Sequence, residues 1–203
     1  MAYHHGDARA ALVLAAGELL EEVGAALVSL RGVAERAGLS RQAPYNHFTD
    51  KEAMLAALVT IGFHRLAADL RAAAEGQTGA LALASAGEAY IAFAQERPAL
   101  FRLMFARELV EIAKFPEAAA ASADAYAALS VVVATLCPAD RVGDVGLAAW
   151  CIVHGYATLC NEAGIEAPER RSQRARQFSL IIAASAGAAS HSALLGLHAR
   201  PFP

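Results

Sequence analysis

Apolar residues recur at intervals of three and four along most of this chain, the spacing that places them on one face of an α-helix. The first such segment spans about residues 7–23, where Leu12, Leu19 and Leu20 lie on the apolar face and Gly24 is expected to end the helix. Further helices are expected at about 50–74, 80–95, 98–109, 117–136, 140–163 and 168–197. No stretch alternates for long between apolar and polar residues, so the pattern predicts an all-α fold.

Two short helical patterns separated by a turn lie within residues 29–51. The first has one apolar stripe, formed by Leu30, Val33, Ala34 and Ala37. Ser29 is a typical N-cap for it, and Gly38 stands where a left-handed residue commonly follows a helix. We expect a second short helix, capped by Ser40, to run to about His47. Two short helices joined by a glycine-containing turn are typical of a helix-turn-helix, whose second helix enters the major groove of DNA.

The boundaries of this second helix carry further chemical signals. Thr49 and Glu52 have the spacing of a capping box, which predicts that the next helix begins here. Pro44 has no N–H group and disfavours helical geometry at Ala43. We therefore expect Pro44 to lie within the first turn of the second helix.

Charge is focused on the same segment. The chain as a whole carries a net charge of −3, which does not favour a protein coated with basic residues for non-specific DNA binding. Within residues 29–51, however, the basic residues Arg31, Arg36, Arg41 and Lys51 outnumber the acidic residues Glu35 and Asp50. The net charge of this segment is therefore positive, although it is small for a DNA-binding surface.

Three cysteines, Cys137, Cys151 and Cys160, are an odd number, which argues against a disulfide framework and for a reducing compartment. The N-terminal residues do not have the pattern of a signal peptide. Residues 177–199 carry no charge, but their serines and histidine make a membrane-spanning helix too costly. We expect a cytoplasmic protein without a membrane segment.

The stretch 29–51 resembles the tetracycline-repressor (TetR) family of transcriptional regulators. The resemblance is carried, in register, by Ser29-Leu30-Arg31, Val33-Ala34, Ala37-Gly38-Leu39-Ser40, Tyr45-Asn46-His47-Phe48 and Lys51. The chain departs from the family pattern at Gln42, where a small residue is commoner, and at Pro44, where an aliphatic residue usually lies. Residues 97–105 and 150–155 are similar to one branch of the family with a Trp/His/Gly-bearing C-terminal domain.

This resemblance implies a division of the chain into two domains. A three-helix helix-turn-helix domain is expected at residues 1–51, and a helical bundle for ligand binding and dimerisation at residues 52–203, with about nine helices in all. In the family, the last two helices of each subunit form a four-helix bundle between subunits. A small molecule binds inside the C-terminal domain.

Side chains for DNA recognition are expected around the second short helix. Arg41 has the donors to read guanine, Gln42 can pair with adenine, and Ala43 can pack on a thymine methyl group. The resemblance implies further contacts, mostly to the DNA backbone, by Arg31, Ser40, Tyr45, Asn46, His47 and Lys51. For each of these residues, the alternative is an ordinary solvated side chain.

Ligand binding requires a mostly apolar cavity with a few placed polar groups. The candidate lining residues are Phe93, Phe101, Met104, Phe105, Tyr126, Trp150, Cys151 and His154. Trp150 and His154 stand out because residues at i and i+4 share a helix face and both side chains have a polar tip. The alternative for the whole set is plain hydrophobic core.

Enzymatic or metal chemistry has little support. Cys151 and His154, at i and i+3, are the one possible nucleophile and base, but no acid or oxyanion-binding motif accompanies them. The histidines lack the usual metal-ligand spacings, and no glycine-rich loop for a phosphate cofactor is present in the sequence. We expect neither a catalytic site, a metal nor a cofactor.

These observations favour a homodimeric, ligand-responsive transcriptional repressor. Its expected partners are a near-palindromic double-stranded DNA operator, a largely apolar small-molecule effector, and a second copy held through the last two helices. The alternative is an all-α small-molecule-binding or scaffolding protein that no longer reads DNA. The small local charge and Pro44 are the features that favour this alternative.

Overall fold

The computed structural model describes residues 5–187, with side chains for residues 8–167 and 169–186. Within this range the chain is all α-helical, as predicted, and has no strand. Its helices are α1 (His5–Leu27), α2 (Leu30–Arg36), α3 (Lys51–Ala74), α4 (Gly79–Glu96), α5 (Pro98–Phe105), α6 (Pro116–Val133), α7 (Val142–Ala163) and α8 (Pro168–Gly187). A short 3₁₀ helix, Ala43–Asn46, lies between α2 and α3. The expected end of the last helix, near residue 197, lies outside the described residues.

Helix α1 supports the helix-turn-helix. Leu12, Ala16 and Leu20 are buried along the side that faces the core, as the spacing predicts. Gly24 breaks the helical geometry with φ of +75°, and the chain then makes one further turn to Leu27. The predicted break at Gly24 is confirmed, although the helical segment continues past it.

Helix α3 connects the DNA-binding unit to the rest of the molecule. It begins next to α1 and packs along its length on α4, α5 and α6. At Gly62, an added Cβ would lie 2.6 Å from the sulfur of Met104, so α3 and α5 approach closely only because Gly62 has no side chain. Helix α3 is therefore in close contact with α5 at this crossing.

The predicted capping box at the start of α3 is wrong. Asp50, not Thr49, is the N-cap, and its carboxylate accepts a hydrogen bond from the Ala53 amide at 2.8 Å. The Glu52 carboxylate turns away and instead accepts a hydrogen bond from the Glu111 amide at 3.1 Å. The amide of Glu111, which is distant in sequence, therefore binds the Glu52 carboxylate that a capping box would have used.

Helix α5 ends at Phe105, four residues before the end that the sequence predicts. Ala106 leaves helical geometry, with φ of −84° and ψ of 81°. Val110 is 2% exposed, so the chain turns back to bury it. This produces a loop across residues 106–115, which contains only a short 3₁₀ turn, Ile112–Lys114. Its 3₁₀ turn packs on α6.

Large apolar side chains are exposed on the outer side of α7 and α8. Leu147 and Leu159 on α7, with Leu180 and Ile181 on α8, are between 42% and 61% exposed. Large exposed apolar side chains clustered on neighbouring helices are typical of an interaction surface. We refer to these four residues as the outer apolar face.

Two helical segments, Lys51–Ala74 and Ala139–Ala163, are long and apolar enough to cross a bilayer by length and hydropathy alone. The first is mostly buried among the other helices, as core helices of globular proteins are. The second includes α7 and contributes to the outer apolar face. The charge-free stretch 177–199 continues beyond the described residues.

Candidate DNA-binding surface and ligand cavity

The first half of the helix-turn-helix has the caps that the sequence predicts. The Ser29 hydroxyl accepts a hydrogen bond from the Gly32 amide at 3.1 Å, which satisfies one of the free N–H groups at the start of α2. At the other end, Gly38 adopts φ of +66°. The amides of Gly38 and Leu39 donate back to the carbonyls of Glu35 and Ala34, at 3.1 and 2.9 Å. This is a Schellman turn, and it fixes the direction in which the chain leaves α2.

The second half differs from the predicted helix. It is a four-residue 3₁₀ helix, Ala43–Asn46, and Ser40 does not cap it with its side chain. The Ala43 amide donates to the Ser40 carbonyl at 2.9 Å, a bond between residues three apart. Pro44 has no N–H group for the α-helical bond to Ser40, which explains the tighter turn. Pro44 lies in the first turn of the helix, as predicted, and its ring is buried.

The expected DNA-contacting side chains surround this 3₁₀ helix. Arg31, Ser40, Arg41, Gln42, Tyr45 and Asn46 are exposed, whereas Ala43, His47 and Lys51 are half-buried. Tyr45 is 55% exposed although its neighbours Pro44 and Phe48 are buried, so its ring is held at the surface. The structure thus brings all nine predicted residues to one part of the fold.

The basic residues of this surface differ in whether they form ion pairs. Arg36 forms ion pairs with Glu18 and Glu22 of α1, at 3.4 and 2.5 Å, so its charge is already compensated. Arg31 and Arg41 form no ion pair within the described part of the chain. Their charges are available to an external anion.

Lys51 joins the surface to α1. Its ammonium group donates to the Ala26 carbonyl at 3.0 Å, in the last turn of α1. An ammonium group has three donors, so this bond leaves others for a phosphate.

A cavity of about 580 Å³ lies between α3, α4, α6, α7 and α8. Most of its wall is apolar, with Phe63 from α3, Leu83 from α4, Leu129 from α6, Val153 from α7 and Phe178 from α8 among its lining. This size and polarity fit a small-molecule site in a helical protein. We call it the large cavity.

Aromatic and polar groups at one side of the large cavity are bonded to one another. The Tyr90 hydroxyl lies 2.9 Å from Nδ1 of His154 and accepts a hydrogen bond from the Trp150 indole at 3.4 Å. Burial raises the pKa of Tyr90 and lowers the pKa of His154, so both are neutral near pH 7. This side of the cavity has dipoles but no net charge.

A second cavity, of about 220 Å³, lies against the same wall from the other side and is more polar. Phe105 lines both cavities, while Tyr90 lines the large cavity and His154 the second one. The ring centroids of Phe105 and His154 are 4.3 Å apart. The two spaces therefore adjoin at Phe105 and the Tyr90–His154 pair, and we call the second one the small cavity.

The eight candidate ligand residues lie in different places. Phe105, Tyr126 and Trp150 line the large cavity, and Phe101, Phe105 and His154 line the small one. Phe93 and Met104 are buried and line neither, and the Cys151 side chain is exposed. Trp150 and His154, which share one face of α7, line the large cavity and the small cavity, respectively.

Sequence reasoning missed many of the residues that line the large cavity. They include Phe63, Leu83, Ala86, Leu129, Val153 and Phe178. In the sequence, each appears only as one more apolar residue on a helical face. No local signal distinguishes a side chain that borders a cavity from one that packs in solid core.

Two carboxylates of the N-terminal region reach the elements that border the cavities. Glu21 of α1 accepts hydrogen bonds from the amides of Ala99 and Leu100, at 3.0 and 2.9 Å, and so caps the start of α5. Glu52 of α3 accepts from the Glu111 amide in the loop after α5 and lies 3.6 Å from the Lys114 ammonium. The start of α5 is thus attached to α1, and the loop after α5 is attached to the first turn of α3.

Family models match both parts of the chain. Residues 12–58 match the model of bacterial regulatory proteins of the tetR family. Residues 83–184 match the model of the tetracyclin repressor-like C-terminal domain. No curated protein matches the chain significantly.

Solved structures share the fold over nearly the whole chain. A protein of unknown function from Rhodococcus sp. RHA1 is 30% identical, with a TM-score of 0.78 over 91% of this chain and 97% of that one. A transcriptional regulator from the same organism is 22% identical, with a TM-score of 0.72 over 90% and 99% of the two chains. A tetR-family regulatory protein, also from Rhodococcus RHA1, is 19% identical, with a TM-score of 0.67 over 90% and 98%.

The two family models together span the helix-turn-helix and most of the helices that enclose the large cavity. The chain therefore belongs to the TetR family of ligand-responsive, DNA-binding transcriptional regulators.

Proposed function

We propose that this protein is a repressor that a small molecule releases from DNA. The observation that carries the proposal is the pair of carboxylates, Glu21 and Glu52, which attach α1 and the first turn of α3 to the α5 region beside the large cavity. A ligand that moves this region also moves the reading surface. It acts only as far as it binds the released conformation better than the DNA-bound one.

On DNA, Arg41 and Gln42 read base edges in the major groove, and Ala43 packs on a thymine methyl group. The remaining predicted residues contact mainly the sugar–phosphate backbone, namely Arg31, Ser40, Tyr45, Asn46, His47 and Lys51. Exposure of most of these side chains supports this assignment, as does the absence of an ion pair at Arg31 and Arg41 within the described residues. The same two free arginines favour DNA reading over the scaffolding alternative.

The functional unit is a homodimer on a near-palindromic operator. The outer apolar face of α7 and α8 supports a four-helix interface between two copies. In this arrangement residues 1–51 form the DNA-binding domain and residues 52–203 the domain for ligand binding and dimerisation. The protein acts in the cytoplasm.

The effector is largely apolar and occupies the large cavity. Phe105, Tyr126 and Trp150 are the predicted ligand residues that line it. The apolar character of the wall supports this ligand class.

Catalysis is not part of the proposal. Nδ1 of His154 is engaged by the Tyr90 hydroxyl, and the Cys151 side chain is exposed, so the two residues have different surroundings. Among residues 5–187, no group of three or more potential ligand side chains is placed to hold a metal ion.

The test is DNA binding by the full chain, measured by fluorescence anisotropy at low salt with duplex DNA from upstream of its own coding sequence. We expect Arg41→Ala to weaken binding about 5- to 150-fold, which corresponds to the loss of about 1–3 kcal/mol at a base contact. Tyr45→Ala should also weaken binding, through the loss of a contact to the DNA backbone. Arg170→Ala is the matched control, because Arg170 is an exposed arginine on α8, a helix that does not belong to the helix-turn-helix.

Unchanged DNA retention by both reading-surface variants would favour the scaffolding alternative.

Glu21→Gln tests the attachment of α5. It keeps the shape of the side chain but removes the charge at the helix start. We expect it to alter the effect of ligand on DNA affinity more than the affinity itself.

A further inference from the structure

A buried hydroxyl on α7 has no partner. Oγ1 of Thr158 is inaccessible to solvent and forms no hydrogen bond within the described residues. Threonine in a helix can bond to the carbonyl four residues earlier, as Thr60 does to Ala56 at 2.9 Å. Thr158 does not, and an unsatisfied buried polar group calls for an explanation by an absent partner.

Thr158 belongs to the lining of the small cavity. His154 lines the same cavity; Tyr90 engages its Nδ1, and its Nε2 has no hydrogen bond within the described residues. Asn161, whose amide N–H group donates to the Ala94 carbonyl at 2.8 Å, adds a third polar side chain. Hydrogen-bonding groups therefore converge on a space of about 220 Å³.

The charges around the small cavity are mainly negative. Arg102 and Glu162 lie 3.8 Å apart and compensate each other. Glu108 also lines the cavity and forms no ion pair within the part of the chain that the structure describes. An anionic group placed here would face uncompensated negative charge, which disfavours its binding.

Among the described residues, Phe105 alone lines both this polar space and the large apolar one, and the hydrogen-bonded pair of Tyr90 and His154 has one ring in each lining. Phe105 is the last residue of α5, where helical geometry ends. The two adjoining spaces therefore offer an apolar part and a polar end.

We propose that the two cavities form one site for an elongated amphipathic molecule. Its apolar body fills the large cavity, and its head, which forms hydrogen bonds and carries no negative charge, enters the small cavity at Thr158 and His154. This inference rests on the proposed function, in which the large cavity is the effector site. Displacement of Phe105 by such a ligand would also act directly on α5, which Glu21 attaches to the DNA-binding unit.

Trp150 provides the measurement. It is the single tryptophan of the chain and it lines the large cavity, so its fluorescence reports ligands there. The probes are decan-1-ol, decylamine and decanoate, which share an apolar body, together with toluene, which has no head. Thermal unfolding of the protein with each probe is the second readout.

We expect decan-1-ol and decylamine to bind at least about 10-fold more tightly than decanoate, because of the negative charge at Glu108. Thr158→Val keeps the shape of the side chain and removes the hydroxyl. We expect it to weaken decan-1-ol about 3- to 10-fold, the loss of one hydrogen bond, and to affect toluene less. Thr60→Val is the matched control, since it removes a helix hydroxyl that lines neither cavity.

Two results would overturn the inference. One is tightest binding of decanoate, which would place the head at Arg107 beside the large cavity instead. The other is an equal effect of Thr158→Val on decan-1-ol and toluene. If even toluene changed neither the fluorescence nor the unfolding temperature, the large cavity would not be a ligand site, and the proposed function itself would fail.

Discussion

The helix-turn-helix and the C-terminal helices bury apolar side chains in different ways. In the first, Leu12, Val33 and Phe48 are at most 4% exposed and pack into a continuous core with the start of α3. In the second, equally buried side chains such as Phe63 border a cavity of about 580 Å³. Both described cavities are lined only by residues from Phe63 onwards.

This difference matches the two tasks of the protein. A reading surface must hold its side chains in one geometry to distinguish bases, so solid packing and fixed turns serve it. A ligand site must admit a molecule, so unfilled space is useful even though it weakens the core. Solid packing thus lies at the start of α3, and the space for a ligand lies beside its later turns.

The largest expected effect comes from emptying the solid core. We expect Phe48→Ala to lower the free energy of unfolding by about 3–5 kcal/mol, because the deletion leaves a new cavity in packed surroundings. Phe63→Ala should lie at the lower end of that range, because one side of this ring already faces open space. Urea unfolding of both variants measures the difference. Equal losses would mean that the two cores are packed alike.

Filling space should give opposite results in the two regions. Ala34 and Ala149 are both buried, but only Ala149 lines the large cavity. We expect Ala34→Leu to destabilise the protein by about 1–3 kcal/mol through overpacking, and Ala149→Leu to have a much smaller effect on stability. Thermal unfolding compares them, and ligand titration of Ala149→Leu should show weakened binding. A severe loss of stability in Ala149→Leu would contradict the presence of usable space.

A smaller effect is expected at the turn of the helix-turn-helix. An added Cβ at Gly38 would contact nothing within 4 Å, so the cost of Gly38→Ala is the left-handed backbone alone, about 1–2 kcal/mol. Gly17 is the control, since it lies inside α1, and its Cβ would meet only Leu58 at an ordinary 3.8 Å. Gly17→Ala should stabilise by about 0.5–1 kcal/mol. The two substitutions are therefore expected to have opposite signs in the same unfolding assay.

The smallest expected effect is a loss of stability at low pH that depends on His154, a residue between the two cavities. Burial lowers the pKa of His154 below its usual 6.5, so the unfolded chain binds a proton more readily than the folded protein. The stability contribution of neutral His154 is complete above about pH 6.5 and is lost as the pH falls below it. Melting temperatures at pH 7.5 and 5.5 measure this loss. His154→Gln should reduce it, whereas His64→Gln, at an exposed position, serves as the control.

Local chemistry explains how much of the DNA-binding unit the sequence determined. Ser29 and Gly38 act on amides within a few residues, so their roles as cap and turn follow from the sequence and are confirmed by the structure. The 3₁₀ geometry at Ala43–Asn46 follows from the missing N–H of Pro44, but its extent depends on how deeply the ring is buried. The capping box at Thr49 failed because a distant amide, that of Glu111, binds the Glu52 carboxylate.

The tertiary structure alone decided where the ligand site lies. Leu83 and Phe93 are both buried apolar residues of α4, yet only Leu83 borders the large cavity. A cavity exists where helices fail to fill the space between them, and that distance depends on all the side chains at each crossing, such as Gly62 against Met104. A single sequence position carries its own size and polarity, but not the gap that the neighbouring helix leaves beside it.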